Sequence, residues 1–266
     1  MRIKNTFDKL KAQNKTAFIS FVTGGDPDID SSLSIIKELP KNGTDIIEIG
    51  IPFLDPAGDG PTIDLASKRA VKNGATLKKI LKLVINFRKT NQDTPIVLMG
   101  YYNSVLHYGL EKFTIDAKKS GVDALLIIDL PIEEDDELHN YCKKQELDFI
   151  KLITPTSDEN RIKKIIKKAS GFLYFVSIAG ITGTKSSNPK IIKESISKIK
   201  KLTDIPTVIG FGIKTKEHVK EMQKTNADGI VVGSRLVSII EEGLKNEKPQ
   251  SEIQKELLKI NQELSS

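Results

Sequence analysis

The 266-residue sequence predicts an α/β fold, a (β/α)8 TIM barrel with an extra N-terminal helix. Eight short runs are rich in β-branched and aromatic residues, and the segments between them have helical periodicity. The runs are almost continuously apolar, which is typical of parallel strands covered on both faces. Eight β-loop-α units in about 250 residues fit a barrel better than a doubly wound sheet, which usually has fewer strands.

The predicted strands cover residues 16–25, 45–51, 95–101, 124–129, 149–154, 172–178, 206–211 and 229–234. Phe7 and Leu10 predict an N-terminal helix that closes the bottom of the barrel, and residues 235–264 are predicted to be helical to the end. No composition change marks an internal boundary, so we interpret residues 1–266 as a single domain.

Composition excludes several classes of protein. With 38% hydrophobic and 29% charged residues, the chain is globular rather than disordered. A single cysteine, Cys142, excludes an internal disulfide and fits a reducing compartment. The sequence has neither a signal-peptide pattern nor a run of about 18 apolar residues, so we expect a cytoplasmic protein without membrane contact. The net charge of +6 comes from lysines on solvated helix faces, so no nucleic-acid partner is expected.

The segment EIGIPFLDPAGDGPTID, residues 48–64, places a carboxylate inside a predicted strand. Because side chains alternate, Glu48 shares a face with Ile46 and Gly50, while three isoleucines take the other face. Glu48 then points into the barrel, where burial should raise its pKa and suit it to general acid and base catalysis. The alternative is a structural carboxylate that accepts hydrogen bonds from an inward Ser, Tyr or backbone amide.

Asp59 lies eleven residues later in a loop rich in glycine and proline. The DG dipeptide followed by Pro61 predicts a stiff turn that presents one carboxylate toward the same cavity. For Asp55 and Asp64, a bond to the turn backbone is the preferred interpretation.

Other candidates follow the later strands. Glycines in GITG, GFG and VGS predict a phosphate site, although each alone could be a turn. Tyr174 either fills the barrel interior or orients a carboxylate through its hydroxyl. Lys151 is the residue that a Schiff-base aldolase would need, but we expect a lysine that snorkels at a strand start. The three histidines lack metal-ligand spacing, and surface positions are expected for them.

Seven motifs, in this order, resemble the tryptophan synthase alpha chain family: FVTGGDPD, EIGIPFLDPAGDGPTI, PIVLMGYYN, GVDALLIIDLPIEE, GFLYFVSIAGITG, PTVIGFGI and ADGIVVGS. The resemblance covers nearly the whole chain. It implies a lyase of tryptophan biosynthesis that cleaves indole-3-glycerol phosphate, in a retro-aldol sense, to indole and glyceraldehyde 3-phosphate. It also implies that Glu48 is the general acid and base that protonates indole C3, and that Asp59 binds the indole N–H.

The resemblance further implies the residues that bind the substrate. Tyr174 matches a tyrosine near the glutamate, and Thr182 a threonine of a mobile loop that closes toward the aspartate. The phosphate site would be Gly183, Gly212, Gly233 and Ser234, and the indole pocket would include Phe21, Met99 and Phe211. No cofactor is expected, because pyridoxal phosphate belongs to the beta chain, which receives indole through a tunnel in an αββα heterotetramer.

The sequence departs from the family at six positions: Leu54 where Ser is usual, Gly58 for Ala, Asp64 for Gln, Ser104 for Pro, Ile128 for Pro, and Lys151 for an apolar residue or Pro. Three of them flank Asp59, which puts the mobility of that loop and its docking in question. Two other functions therefore stay open. One is another phosphosugar aldolase or synthase barrel, and the other is a barrel subunit that activates its partner with weak or no activity of its own.

Overall fold

The apolar runs form a closed barrel of eight parallel strands in sequence order. The computed structural model describes residues 1–176, 189–210, 213 and 215–266. Its strands are β1 (Ala17–Thr23), β2 (Ile46–Gly50), β3 (Ile96–Gly100), β4 (Ala124–Ile127), β5 (Asp148–Ile153), β6 (Leu173–Val176), β7 (Thr207–Gly210) and β8 (Gly229–Val232). The predicted (β/α)8 barrel is confirmed, and each strand lies within a predicted run except β5, which begins one residue earlier than predicted. The end of the sixth run and residue 211 of the seventh lie outside the described residues.

Helices alternate with the strands on the outside of the barrel. They are α1 (Arg2–Ala12), α2 (Ile29–Glu38), α3 (Pro61–Lys72), α4 (Leu77–Arg88), α5 (Tyr102–Tyr108), α6 (Leu110–Ser120), α7 (Asp136–Lys144), α8 (Glu159–Lys168), α9 (Pro189–Lys200), α10 (Lys216–Gln223), α11 (Ser234–Lys245) and α12 (Gln250–Ser265). Within the described part of the chain, none of these helices has the length and apolarity that a membrane span requires.

Both chain ends were predicted to be helical. The structure confirms the N-terminal helix and shows that the C-terminal one is two helices. At the N-terminus, Phe7 and Leu10 of α1 are buried, and the Phe7 ring lies 5.9 Å from that of Phe172 inside the barrel. The C-terminal helix, in contrast, is broken between α11 and α12. Glu247 has a φ of 54°, and Pro249 lacks the N–H that a continuous helix would need.

Alternation along the strands separates two apolar cores. Ile47, Ile49 and Ile51 belong to the outer core between sheet and helices, whereas Ile46 belongs to the core inside the barrel. Glu48 is fully buried on the Ile46 side of β2. Glu48 therefore points into the barrel, as the alternation of side chains along the strand predicts.

Lys151 is not the snorkelling residue expected from the sequence. It lies inside β5 rather than at its start, and only 5% of its side chain is exposed. Its neighbours Ile150 and Leu152 face the barrel interior, so Lys151 faces the helices. Its ammonium group is paired with the buried carboxylate of Asp135. A Schiff-base site in the barrel interior is thereby excluded for this lysine.

Candidate active site

Glu48 is held inside the barrel by the register of its strand. It pairs with Phe21 of β1 and with Val97 of β3. Among the described residues, neither oxygen of its carboxyl group has a hydrogen-bond partner. Burial, and after it the nearby charge of Asp59, raises the pKa of Glu48 from 4.5 to about 8. At neutral pH this carboxyl group therefore carries a proton that it can donate.

Asp59 is positioned by Tyr101, which directly follows β3. The Tyr101 hydroxyl accepts a hydrogen bond from the Gly58 N–H at 3.1 Å and bonds the Asp59 carboxylate. The Tyr101 ring stacks on Phe53, with ring centres 5.1 Å apart. The pKa of Asp59 is raised to about 6, because burial and the charge of Asp64 raise it more than the Tyr101 hydrogen bond lowers it. Asp59 is therefore ionised at neutral pH, unlike Glu48.

The far end of the same loop is fixed by α3. Gly60 is the N-cap and Pro61 the first residue of this helix, where a missing N–H costs nothing. Further along α3, Arg69 donates two hydrogen bonds of 2.9 Å to the buried carboxylate of Asp26. Such a bidentate pair restrains both position and orientation, so the helix that follows Asp59 has a fixed place on the barrel.

An apolar cavity lies beneath Asp59. Its walls include Phe21, Ile51, Ile63, Met99, Tyr101 and Ile128, and Asp59 reaches it from the loop. A Cβ atom at Gly50 would lie 2.7 Å from the Phe21 ring, so glycine at the end of β2 makes room for that ring. The cavity offers apolar walls and one carboxylate, which suits a flat aromatic group with a single N–H donor.

The N-terminus of α11 offers a place for an anion. Gly233 is its N-cap and Ser234 its first residue, and the N-cap glycine has no side chain to bond the free N–H groups there. Such N–H groups and the helix dipole favour a phosphate. The other predicted site residues, Thr182, Gly183, Phe211 and Gly212, lie outside the described residues. Within the described ranges, no group of three His, Cys, Asp or Glu side chains could hold a metal ion.

Comparison with known proteins agrees with this geometry. Residues 7–265 match the family model described as tryptophan synthase alpha chain. The chain belongs to the tryptophan synthase alpha chain family. A subunit alpha structure from Legionella pneumophila strain Paris is 34% identical, with 99% of this chain and 97% of that chain covered and a TM-score of 0.91. A Pyrococcus furiosus tryptophan synthase complex is 36% identical, with 93% of this chain and 97% of that chain covered and a TM-score of 0.83. A protein of Aquifex aeolicus VF5 is 40% identical, with 99% of this chain and 97% of that chain covered and a TM-score of 0.88.

Membership of the tryptophan synthase alpha chain family defines the reaction. The protein is a lyase that cleaves indole-3-glycerol phosphate to indole and glyceraldehyde 3-phosphate in tryptophan biosynthesis. The apolar cavity and the α11 N-terminus have the chemical character that the two ends of this substrate require.

Tyr174 lies in the barrel interior close to both carboxylates of this alpha chain. It is 3% exposed, and its pKa is raised well above the usual value by burial and then by the charges of Glu48 and Asp59. A Cβ atom at Gly210 would lie 2.1 Å from the Tyr174 ring. The ring thus fills the interior, and it does so within the electrostatic reach of Glu48.

Sequence reasoning missed Tyr101, although it stands in the motif YYN at a strand end. The signal was an aromatic hydroxyl at the carboxyl end of a barrel strand, where active sites lie. It also missed Ser67, Thr23 and Ile63, which line the cavity with Asp59.

Four of the six departures from the alpha chain family lie near Asp59: three in the same loop or at the start of α3, and Ile128 in the wall of the cavity that Asp59 lines. Leu54 is 58% exposed. Asp64, in the first turn of α3, binds Lys68 at 2.7 Å through one oxygen, while its other oxygen is buried without a partner among the described residues. Gly58 and Ile128 are neighbours, since a Cβ atom at residue 58 would lie 3.3 Å from Ile128 Cγ2.

Glu48→Gln should stabilise the protein by an amount that grows with pH. Below pH 4.5 the carboxyl group is neutral in both folded and unfolded chains. Between 4.5 and about 8 only the unfolded chain ionises, so the wild type loses up to about 1.4 kcal/mol per pH unit relative to the amide. Urea unfolding at pH 5, 7 and 8.5 measures the difference. The exposed Glu134→Gln is the control, and a gap for Glu48→Gln that stays constant with pH contradicts the assignment.

Proposed function

We propose that residues 1–266 work as one barrel domain in which Glu48 is the proton carrier of indole-3-glycerol phosphate cleavage. The supporting observation is a buried carboxyl group, without a hydrogen-bond partner among the described residues and with a pKa of about 8, beside a carboxylate with a pKa of about 6. Between these two values Glu48 holds a proton and Asp59 holds a charge. The same loop and strand therefore supply an acid and an anion at neutral pH.

The reaction needs a proton at indole C3 and an electron sink in the ring. Glu48 donates its proton to C3, which leaves a positive charge on the indole nitrogen. Asp59 accepts the hydrogen bond of that N–H and stabilises the charge as it develops. The C3–glycerol carbon bond then breaks, and its electron pair returns to the ring as the substrate hydroxyl becomes an aldehyde. The hydroxyl proton goes to ionised Glu48, which restores the starting state.

The remaining site residues hold the substrate around these two groups. Phe21, Met99 and Phe211 would line the indole pocket, and Tyr174 would pack beside Glu48. Thr182 would close toward Asp59, excluding water and completing the site. The phosphate would bind at Gly183, Gly212, Gly233 and Ser234. Support for the last pair comes from the uncapped N-terminus of α11, and for Phe21 and Met99 from the cavity they share with Asp59.

The proposed partner is a tryptophan synthase beta chain in an αββα heterotetramer. The similar Pyrococcus furiosus structure is of a tryptophan synthase α2β2 complex. In this assignment the alpha chain works in the cytoplasm without a cofactor of its own. The outward-facing Lys151 disfavours a Schiff-base aldolase. Asp59 lies close enough to Glu48 for its charge to raise the Glu48 pKa. This pairing disfavours a barrel that only activates its partner, since such a barrel would not need both charge states.

Loss of either carboxylate should nearly abolish cleavage. Glu48→Gln removes the proton carrier and should lower kcat about 100-fold or more. Asp59→Asn removes the charge that stabilises the ring cation and should lower kcat by about 100- to 1,000-fold. Indole release from indole-3-glycerol phosphate, with and without a beta chain, measures both. Asp55→Asn, in the same loop, is the control. A fully active Glu48→Gln would refute the mechanism, and wild-type inactivity with the partner present would refute the function.

Tyr101→Phe should move the acid limb of the pH profile upward. The wild-type kcat/KM should be bell-shaped, because it needs ionised Asp59, with a pKa of about 6, and protonated Glu48, with a pKa of about 8. The Tyr101 bond lowers the pKa of Asp59, so its loss raises that pKa and the acid limb follows. We expect kcat/KM at pH 7 to fall about tenfold. The substrate phosphate also titrates near pH 6, so only the difference between variants reports on Asp59.

The control for that profile is Tyr102→Phe, at the next residue. Its side chain is only half-buried, and its hydroxyl bonds neither Asp59 nor Glu48 in the described part of the structure. An acid limb that moves equally in both variants, or in neither, contradicts the role given to Tyr101.

Mixing with a beta chain should produce the αββα assembly. Size-exclusion chromatography with light scattering measures the mass of each species at equal subunit concentrations. The expected result is one species of two alpha and two beta chains, together with faster indole release than from the alpha chain alone. Separate elution of the two chains at micromolar concentration contradicts the proposed partner.

A further inference from the structure

The loop between β4 and α7, residues 128–135, has one end in the active site. Ile128 lines the cavity with Asp59 and Tyr101, and its N–H donates to the Gly100 carbonyl at 3.0 Å. The next residue, Asp129, accepts a hydrogen bond of 2.7 Å from the Tyr102 N–H. This end of the 128–135 loop therefore fixes the backbone on both sides of Tyr101.

The other end of the loop is held by cations from β5 and α8. Lys168 Nζ, at the end of α8, donates to the Ile132 carbonyl at 2.8 Å, to Asp135 at 2.7 Å and to Asp136 at 2.6 Å. Lys151 of β5 binds the second oxygen of Asp135. We call this group of three side chains, Asp135, Lys151 and Lys168, the charge cluster. It lies outside the barrel wall and has no part in the proposed chemistry.

The charge cluster is buried to an unusual degree. Asp135 is fully buried, Lys151 is 5% exposed and the Lys168 side chain is 28% exposed. A buried carboxylate that loses one of its cations keeps its desolvation cost, so the remaining structure must move to satisfy it. The neighbouring Arg161–Glu133 pair, at 2.7 Å, is about half exposed at both ends and restrains the loop much less.

Apolar packing gives the segment between these ends little freedom. Ile132 is buried in the outer core, and Leu130 packs against it from a partly buried position. Pro131 has a fixed φ, and its carbonyl accepts the Glu134 N–H at 3.0 Å. A movement at Asp135 is therefore passed along the loop rather than absorbed within it.

We propose that the charge cluster is a positioning device for the active site, acting through the 128–135 loop and Tyr101 on Asp59. The proposal rests on the role of Asp59 given above. Asp135 fixes the loop, Asp129 and Ile128 fix the backbone around Tyr101, and the Tyr101 hydroxyl holds Gly58 and Asp59. Because the resemblance places an apolar residue or proline at Lys151, the contact of Lys151 with Asp135 belongs to this chain rather than to the family.

The test compares Lys168→Met with Lys167→Met. Both remove one charge from the last turn of α8, but Lys167 is exposed and has no ion pair in the described part of the structure. The first readout is hydrogen exchange of the wild type and both variants in solution. Lys168→Met should speed exchange of the Tyr102 and Gly58 amides, which bond Asp129 and Tyr101, about tenfold. Lys167→Met should leave both amides unchanged.

The second readout is the pH profile of kcat/KM. Among the described residues, the titratable groups that act on Asp59 are Glu48 of β2, Asp64 of α3, Tyr101 after β3 and Tyr174 of β6. Only the Tyr101 contact depends on the loop. Lys168→Met should therefore lower kcat/KM about fivefold at pH 7 and move the acid limb to higher pH. Combined with Tyr101→Phe it should add little, because both changes remove the same bond.

Several outcomes would overturn the proposal. A lower melting temperature for Lys168→Met with unchanged amide exchange and pH profile would leave the charge cluster a purely stabilising role. Full additivity with Tyr101→Phe would show that the two act separately. Lys168→Arg keeps the charge and should restore both readouts. If Lys168→Met does not fold, Lys151→Met, which returns the apolar character of the family, takes its place with the same expectations.

Failure of the proposed function looks different from failure of this inference. An active Asp59→Asn would remove the kinetic basis of the proposal, while amide exchange would still report whether the cluster holds Tyr101. A nearly inactive Asp59→Asn together with a wild-type profile for Lys168→Met would leave the function intact and reject the positioning role.

Discussion

The burial of Glu48 is the constraint on which the rest of the site depends. A closed parallel barrel keeps water from the inner face of β2, and the described residues offer the carboxyl group no hydrogen bond. A charge there would lack solvation, which is energetically costly. The pKa of Glu48 is therefore about 8, and the group is neutral below that pH. The same closure requires the neighbouring space to be filled. Phe21 and Tyr174 fill it, and Gly50 and Gly210 leave room for their rings.

Asp59 has the opposite charge state because its surroundings differ. It lies on a loop, is half-buried and receives the Tyr101 hydroxyl bond, so its pKa is only about 6. Two neighbouring carboxyl groups with different pKa values can divide acid and anion roles without a metal or a basic residue. That division requires the loop to stay where Tyr101 can reach it. The stack of Phe53 on Tyr101 and the Arg69–Asp26 pair support this loop, so the proposed chemistry depends on them as well as on the strand.

The sequence predicted what depends on local pattern. Near-continuous apolar runs located the eight strands, and alternation alone turned Glu48 inward. Tyr101 could not be assigned, because its role depends on hydrogen bonds with Gly58 and Asp59, which lie more than forty residues earlier in the chain. Lys151 was misplaced for a similar reason, since its burial depends on a carboxylate at residue 135 that no periodicity links to it. The break at Pro249 carried a local signal, an imino acid within a helical pattern, and was overlooked.

The departures from the family at residues 58 and 128 are explained by the contact between these two residues. At Gly58 an added methyl group would lie 3.3 Å from Ile128 Cγ2 and 3.5 Å from the Tyr101 hydroxyl. An alanine at residue 58 would therefore crowd the isoleucine at residue 128. Glycine avoids this close contact, and its N–H still bonds the Tyr101 hydroxyl. Lys151 departs from the family at the other end of the same loop. The 128–135 loop has thus changed at both of its contacts, with the wall of the active site and with β5. A segment altered at both ends, yet still bonded to the backbone around Tyr101, is what the proposed positioning of Asp59 requires.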